Sequence, residues 1–167
     1  MEINLNTKQT MKTSGKLFNI TLLIIRILLG TVIGMHGAQK LLGWFEGYGF
    51  EGTVGFFTQT IGLPYLFAVL IILAESIGMI ALIFGLFSRI LSGSLIIIML
   101  GAIVTLHGQH GFFMNWSGAQ GGEGFEFHLL AMGMSLIILL HGGGVFSLDH
   151  FLLKRFQTNN QKKPSLV

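Results

Sequence analysis

The chain of 167 residues contains no cysteine, and only 10% of its residues are charged. Without cysteine there is no thiolate nucleophile, thiol redox pair, thiolate metal site or iron-sulfur cluster in this chain. The shortage of charge excludes more. Globular proteins carry roughly 25% charged residues, and a surface facing water cannot be built from the few here. With 51% hydrophobic residues and a mean hydropathy of +0.73, much of the surface must face lipid. An ordinary soluble enzyme, a disordered chain and a disulfide-stapled domain are all excluded. Also missing are a Gly-x-Gly-x-x-Gly after a strand and a Walker-type loop, so nothing points to a nucleotide.

What is present is a set of apolar runs. Stretches at about 17–35, 64–87, 90–106 and 125–141 each approach the roughly 20 helical residues that cross a bilayer core of about 30 Å. The first is read as a retained helix and not as a cleaved leader, because it is long, contains Arg26 and lacks a small-x-small site after it. The expected fold is all-α: a polytopic four-transmembrane-helix bundle over 17–153, between a basic tail (1–16) and a polar, irregular tail (154–167). A long first loop is expected from His36 to Leu63. Within it Val54, Phe57 and Ile61 recur at helical spacing, which predicts a short amphipathic helix at the membrane interface.

The net charge of +3 does not call for nucleic acid. If the spans alternate, Lys8, Lys12, Lys16, Arg89, Lys154, Arg155, Lys162 and Lys163 share one side, and Lys40 stands on the other. By the positive-inside rule both termini are then expected to be cytoplasmic, with the two long loops on the outer side.

Two charges fall inside the runs. Arg26 is about 13 Å from the start of the first, and Glu75 about 16 Å from the start of the second, at 1.5 Å per residue. Both estimates land near the midplane, where an unpaired charge costs about 3 kcal/mol or more. The expectation is that Arg26 and Glu75 pair inside the bundle, either as a register-setting ion pair or as a proton relay. Gly30, Gly34 and Gly37 share a stripe with Arg26, which suits close helix packing or a flat ligand. Lys40 continues that face if the helix runs so far.

His36, His107, His110 and His128 gather at the outer end with Glu126, and Phe113 and Trp116 follow in a glycine-rich loop. These residues are candidate ligand-binding groups: imidazoles to relay protons, aromatics to stack on a planar headgroup or anchor the interface. Spacing supports a metal ion or haem only weakly. His107, His110 and His128 are the candidate ligands, but no His-Glu-x-x-His or carboxylate-x-x-His pair occurs.

Taken together, RILLGTVIGMHGAQKLLG (26–43), TVGFFTQTIGLP (53–64), LAESIGMIALIFGLFSRI (73–90), GEGFEFHLL (122–130) and GGGVFSLDH (142–150) resemble the DoxX family of small bacterial four-helix membrane proteins. The resemblance covers about residues 20–152. It implies a membrane partner in an oxidoreductase system, in the setting of quinone-linked sulfur oxidation or oxidative-stress defence. The family pattern falls on Arg26, Gly30, His36, Gly37, Lys40, Glu75, Glu126, Ser147 and Asp149.

Two functions from different classes follow. In one, the chain is a quinone-interacting subunit, enzymatic only as part of a quinone-linked oxidoreductase, in which Arg26, Glu75, Lys40 and the outer histidines polarise a carbonyl or deliver protons. In the other it is a non-catalytic scaffold or assembly factor whose outer loops dock a membrane or periplasmic partner. Small-solute transport has less support, since no inverted repeat or broken-helix pair is visible, although a homo-oligomer would create a path.

Overall fold

A computed structural model describes residues 5–161, with side chains from Thr13 to Thr158. Among the described residues all regular structure is helical: α1 (Leu5–Leu42), α2 (Gly49–Gly55), α3 (Tyr65–Glu75), α4 (Ile77–Phe84), α5 (Ser88–Ala102), α6 (Glu126–His141) and α7 (Leu148–Gln161). Three segments, Thr13–Leu42, Tyr65–Phe84 and Ser88–His110, are long and apolar enough to cross a membrane, and α6 is a shorter apolar helix of 16 residues.

The distribution of side chains explains why these helices assemble in lipid. Leucine, isoleucine, valine and phenylalanine cover the outside, among them Leu28, Val32, Leu66, Phe67, Ile80, Ile97 and Leu130. The interior contains Leu29, Ile33, Met79, Leu82, Leu95 and Ile138, but also Arg26, Glu75, Ser88, Ser92, His128 and Ser135. Apolar outside and polar inside is the arrangement a hydrocarbon solvent selects.

Helix α1 runs antiparallel to the α3–α4 pair. A Cβ on Gly30 would lie 2.5 Å from the Ile83 side chain, and one on Gly37 would lie 2.1 Å from the Glu75 carbonyl oxygen. The glycine stripe is therefore filled by the neighbouring helix, and no room for a flat ligand remains there. Along its other side α1 pairs with α6: His36 meets Phe127 (ring centroids 5.9 Å apart) and Phe18 meets His141 (5.0 Å). Helices α5 and α6 close the bundle through Ser92, Leu95, Met99, Ala131, Ser135 and Ile138.

Several sequence expectations change. Helix α1 does not stop near Met35 but continues to Leu42, carrying His36, Gly37 and Lys40 with it, because Gly37 lets α1 stay packed on α3. The segment taken as a basic tail is helical from Leu5, and the tail taken as irregular from Lys154 is helical to Gln161. Residues 1–4 and 162–167, with Lys162 and Lys163, lie outside the described residues. Ser88 and Arg89 are not a connection but the first residues of α5; the turn is made by Gly85, in the left-handed region at φ +72°, through Phe87. A helix does form in the first loop, as α2 followed by a π-helical turn at Phe56–Thr60, with Thr53 buried.

Candidate functional site

The polar residues inside the bundle separate into two groups, one at each end. The first lies where α1, α3, α6 and the extension of α5 converge. Glu75 is the last residue of α3, just before the helix is interrupted at Ser76, whose hydroxyl donates to the Ile72 carbonyl at 2.6 Å. Across from it, Lys40 in the last turn of α1 forms an ion pair with the Glu75 carboxylate. The Glu75 side chain is 3% exposed and that of Lys40 28%, so the pair is buried at the acid and reaches towards solvent at the base.

Beside it stand the histidines. Helix α5 passes into a π-helical turn at Ile103–His107, and such turns are often found at functional sites because they re-aim one side chain. Here the side chain is His107, whose ring lies tilted against His128 with centroids 4.2 Å apart and planes at 45°. His107 Nδ1 lies 2.9 Å from the Glu123 carbonyl oxygen, an acceptor, so Nδ1 donates and Nε2 of the neutral ring is left as the acceptor. His128 is buried and its Nδ1 has no hydrogen-bond partner. His107, His36 and Lys40 all lie within electrostatic reach of it. Protonable groups from α1, α3, α5 and α6 thus occupy one compact region, under an ordered loop.

That loop, 111–125, is held by two carboxylates, Glu123 and the candidate ligand-binding residue Glu126. Glu126 Oε1 accepts from the Met114 amide at 2.9 Å, and Glu123 Oε2 from the Asn115 amide at 2.7 Å. Asn115 and Gln120 close the loop with reciprocal bonds of 3.1 and 2.9 Å. Glu126 is consequently a structural anchor. The His110 ring lies against Gly122, and among the described residues no three His, Asp or Glu side chains form a metal site. Phe113 and Trp116 face outward, Trp116 with 88% exposure.

The second group lies at the opposite end and holds Arg26. The expected Arg26–Glu75 pair does not form. In the antiparallel register Arg26 is level with Gly85, while Glu75 is level with Gly37, and Lys40 is about 21 Å further along α1 than Arg26 at 1.5 Å per residue. Arg26, fully buried, instead donates from Nη2 to the Phe146 carbonyl at 2.8 Å. Around it the GGGVFSLDH segment is bound to three helices. Asp149 accepts from the Phe87 and Ser88 amides, both at 2.8 Å, and so caps α5. Ser147 caps α7 by accepting from the His150 amide at 3.1 Å. Asn19, unmarked by sequence reasoning, accepts from the Val145 amide at 3.0 Å.

Sequence reasoning named every member of the first group but not the Lys40–Glu75 contact. Lys40 and Arg26 are fourteen residues apart, close to four helical turns. Both therefore face the α3–α4 pair, and only the length of α1 decides which one meets Glu75.

Comparison with known proteins agrees with this architecture. The DoxX family profile matches residues 21–108. The chain is 32% identical over 146 residues to "Putative oxidoreductase CatD" of Bacillus subtilis strain 168, an alignment spanning 87% of this chain and 97% of that protein. No solved structure matches. With its apolar helices, its lipid-facing exterior and a profile match over more than half its length, the chain is a membrane protein and belongs to the DoxX family.

Proposed function

We propose that this protein is the quinone-interacting membrane component of an oxidoreductase system, working with a redox partner that supplies the electrons. The observation that carries the reading is the convergence of the buried Lys40–Glu75 pair with the His107–His128 ring contact. A quinone taking up two electrons must also take up two protons, and inside an apolar bundle placed side chains can supply them. Lys40 is suited to donate to a quinone carbonyl, and His128 and His107 to pass protons between the bundle and the outer loop. Glu75 holds the Lys40 ammonium in position. The chain has no cysteine, so electrons do not pass through a thiol of its own. The relative's name, which describes an oxidoreductase, supports the same class.

In this reading α1, α3–α4, α5 and α6 each cross a bacterial cytoplasmic membrane, both termini are cytoplasmic, and α2 lies at the outer interface. The flanking basic residues support that orientation.

Titration of the purified protein in lipid nanodiscs with a short-chain quinone tests the proposal. Saturable binding is expected for the wild type, and affinity at least about tenfold weaker for Glu75→Gln, since a charge-organised hydrogen bond contributes about 1.5–3 kcal/mol. Equal affinity in the variant would remove Glu75 from any quinone site.

A scaffold role is supported by a different feature, the outward-facing Phe113 and Trp116 on a loop stiffened by Glu123, Glu126 and Asn115. Exposed aromatics on a rigid loop suit a partner interface. A quinone-silent protein that loses a constant partner on Trp116→Ala would favour that second reading.

A further inference from the structure

At the end of the bundle opposite the Lys40–Glu75 pair, an open groove of about 530 Å³ lies between α1, the end of α4 and the start of α7. Leu23, Ile27, Phe84, Phe146 and Phe151 form its walls, and Arg26 contributes to its lining. Ile27, Phe84 and Phe151 are also exposed on the outer surface, so the groove opens towards lipid. Its size is that of an ordinary ligand cleft.

Arg26 is unusual in this setting. Its side chain is fully buried, one nitrogen is satisfied by the Phe146 carbonyl, and Nε and Nη1 have no partner. Unpaired charged donors in a dry, apolar site are costly, and proteins normally match them with an anion. Asp149 acts on Arg26 through space. However, its two oxygens are already engaged by the Phe87 and Ser88 amides at the positive end of α5, which takes up part of its charge. The site therefore retains net demand for a negative group.

Depth decides what can supply it. Arg26 is level with Gly85, in the turn that ends the second apolar segment, and α7 leaves from the same place with Lys154 and Arg155 exposed. Turns at the end of spans lie where phospholipid headgroups lie, and basic residues there attract anionic lipid. We propose that the groove is a binding site for an anionic phospholipid, its phosphate at the mouth of the groove drawn by the uncompensated charge of the buried Arg26, and an acyl chain laid along Leu23, Ile27, Phe84 and Phe151. The site stands apart from the quinone reading and does not depend on it.

Native mass spectrometry of the full chain, released from membranes containing phosphatidylglycerol and phosphatidylcholine with the same acyl chains, tests this. Retention of phosphatidylglycerol is expected to exceed that of phosphatidylcholine by about fivefold, as for one basic residue acting on an anionic headgroup. Arg26→Gln should bring the two lipids to parity. Should that variant fail to fold, Ile27→Trp offers a second route, because it fills the groove from its lipid side and leaves Arg26 in place; it should abolish retention of both lipids. Equal retention of the two lipids by the wild type, or unchanged retention in either folded variant, would overturn the proposal. So would displacement of phosphatidylglycerol by millimolar inorganic phosphate, which would mark a free-phosphate site, or by a neutral quinone analogue.

Discussion

Lys40 and Glu75 are unequal members of one ion pair. Glu75 is enclosed at the break between α3 and α4, whereas more than a quarter of the Lys40 side chain is exposed. Removing one member of a buried pair leaves the other uncompensated and costs about 3–5 kcal/mol in a closed interior. Here the two deletions should differ. Lys40→Met strands a carboxylate that has no route to water, and a loss of about 3 kcal/mol is expected. Glu75→Gln leaves an ammonium that can extend towards the interface on its long stem, and the loss should be nearer about 1 kcal/mol. The double variant should be more stable than Lys40→Met alone. Thermal denaturation of the three variants in one detergent measures the coupling, and strictly additive losses would show that the two charges do not sense each other.

Between helices the important contacts are made by small residues and backbone. Gly34 and Gly37 share one face of α1, one turn apart, yet their surroundings differ. A Cβ at Gly34 would make an ordinary 3.5 Å contact with Met79, whereas one at Gly37 would enter the backbone of Glu75 and Ser76. Gly34→Ala should therefore change the melting temperature little. Gly37→Ala should force α1 and α3 apart, at a cost of about 1–3 kcal/mol for overpacking, and should also weaken quinone binding by separating Lys40 from Glu75. Equal melting temperatures for the two variants would contradict the observed register.

The same face of α1 shows how far a sequence can be read. Apolar runs long enough to form spans were visible from composition, because lipid requires them, and so were the two charges, Arg26 and Glu75, that the bundle buries. Helix ends were not visible. His36, Gly37 and Lys40 read as the start of a loop because polarity and glycine usually signal one, but α1 continues there on the support of α3. An error of seven residues in a helix end, about 10 Å, leaves Lys40 outside the expected span and so out of reach of Glu75, with Arg26 as the one basic residue left inside it. Glu126 shows the same limit: its position near the histidines is visible in the sequence, whereas the bond that its Oε1 accepts from the Met114 amide, twelve residues away, is not.

For the whole molecule the open question is whether α6 crosses the membrane. Its 16 residues span about 24 Å, less than a hydrocarbon core of roughly 30 Å. Its position beside α1 argues that it does. Phe127, near the start of α6, meets His36, and His141, at its end, meets Phe18, so α6 accompanies α1 over most of the stretch that is long enough to cross. A helix held against a spanning neighbour along that length crosses with it, and a modest shortfall is absorbed by local thinning of the bilayer. The absence of cysteine makes this directly measurable, since any introduced cysteine is the only thiol in the chain. Ser117 lies in the loop before α6 and Thr158 lies in α7 beyond it, both exposed. In intact cells an impermeant maleimide should label Ser117→Cys directly, and Thr158→Cys only after the membrane is opened. Labelling of both variants from the same side would mean that α6 does not cross, and would place the turn holding Arg26, Gly85 and Asp149 on the same side of the membrane as the histidine loop.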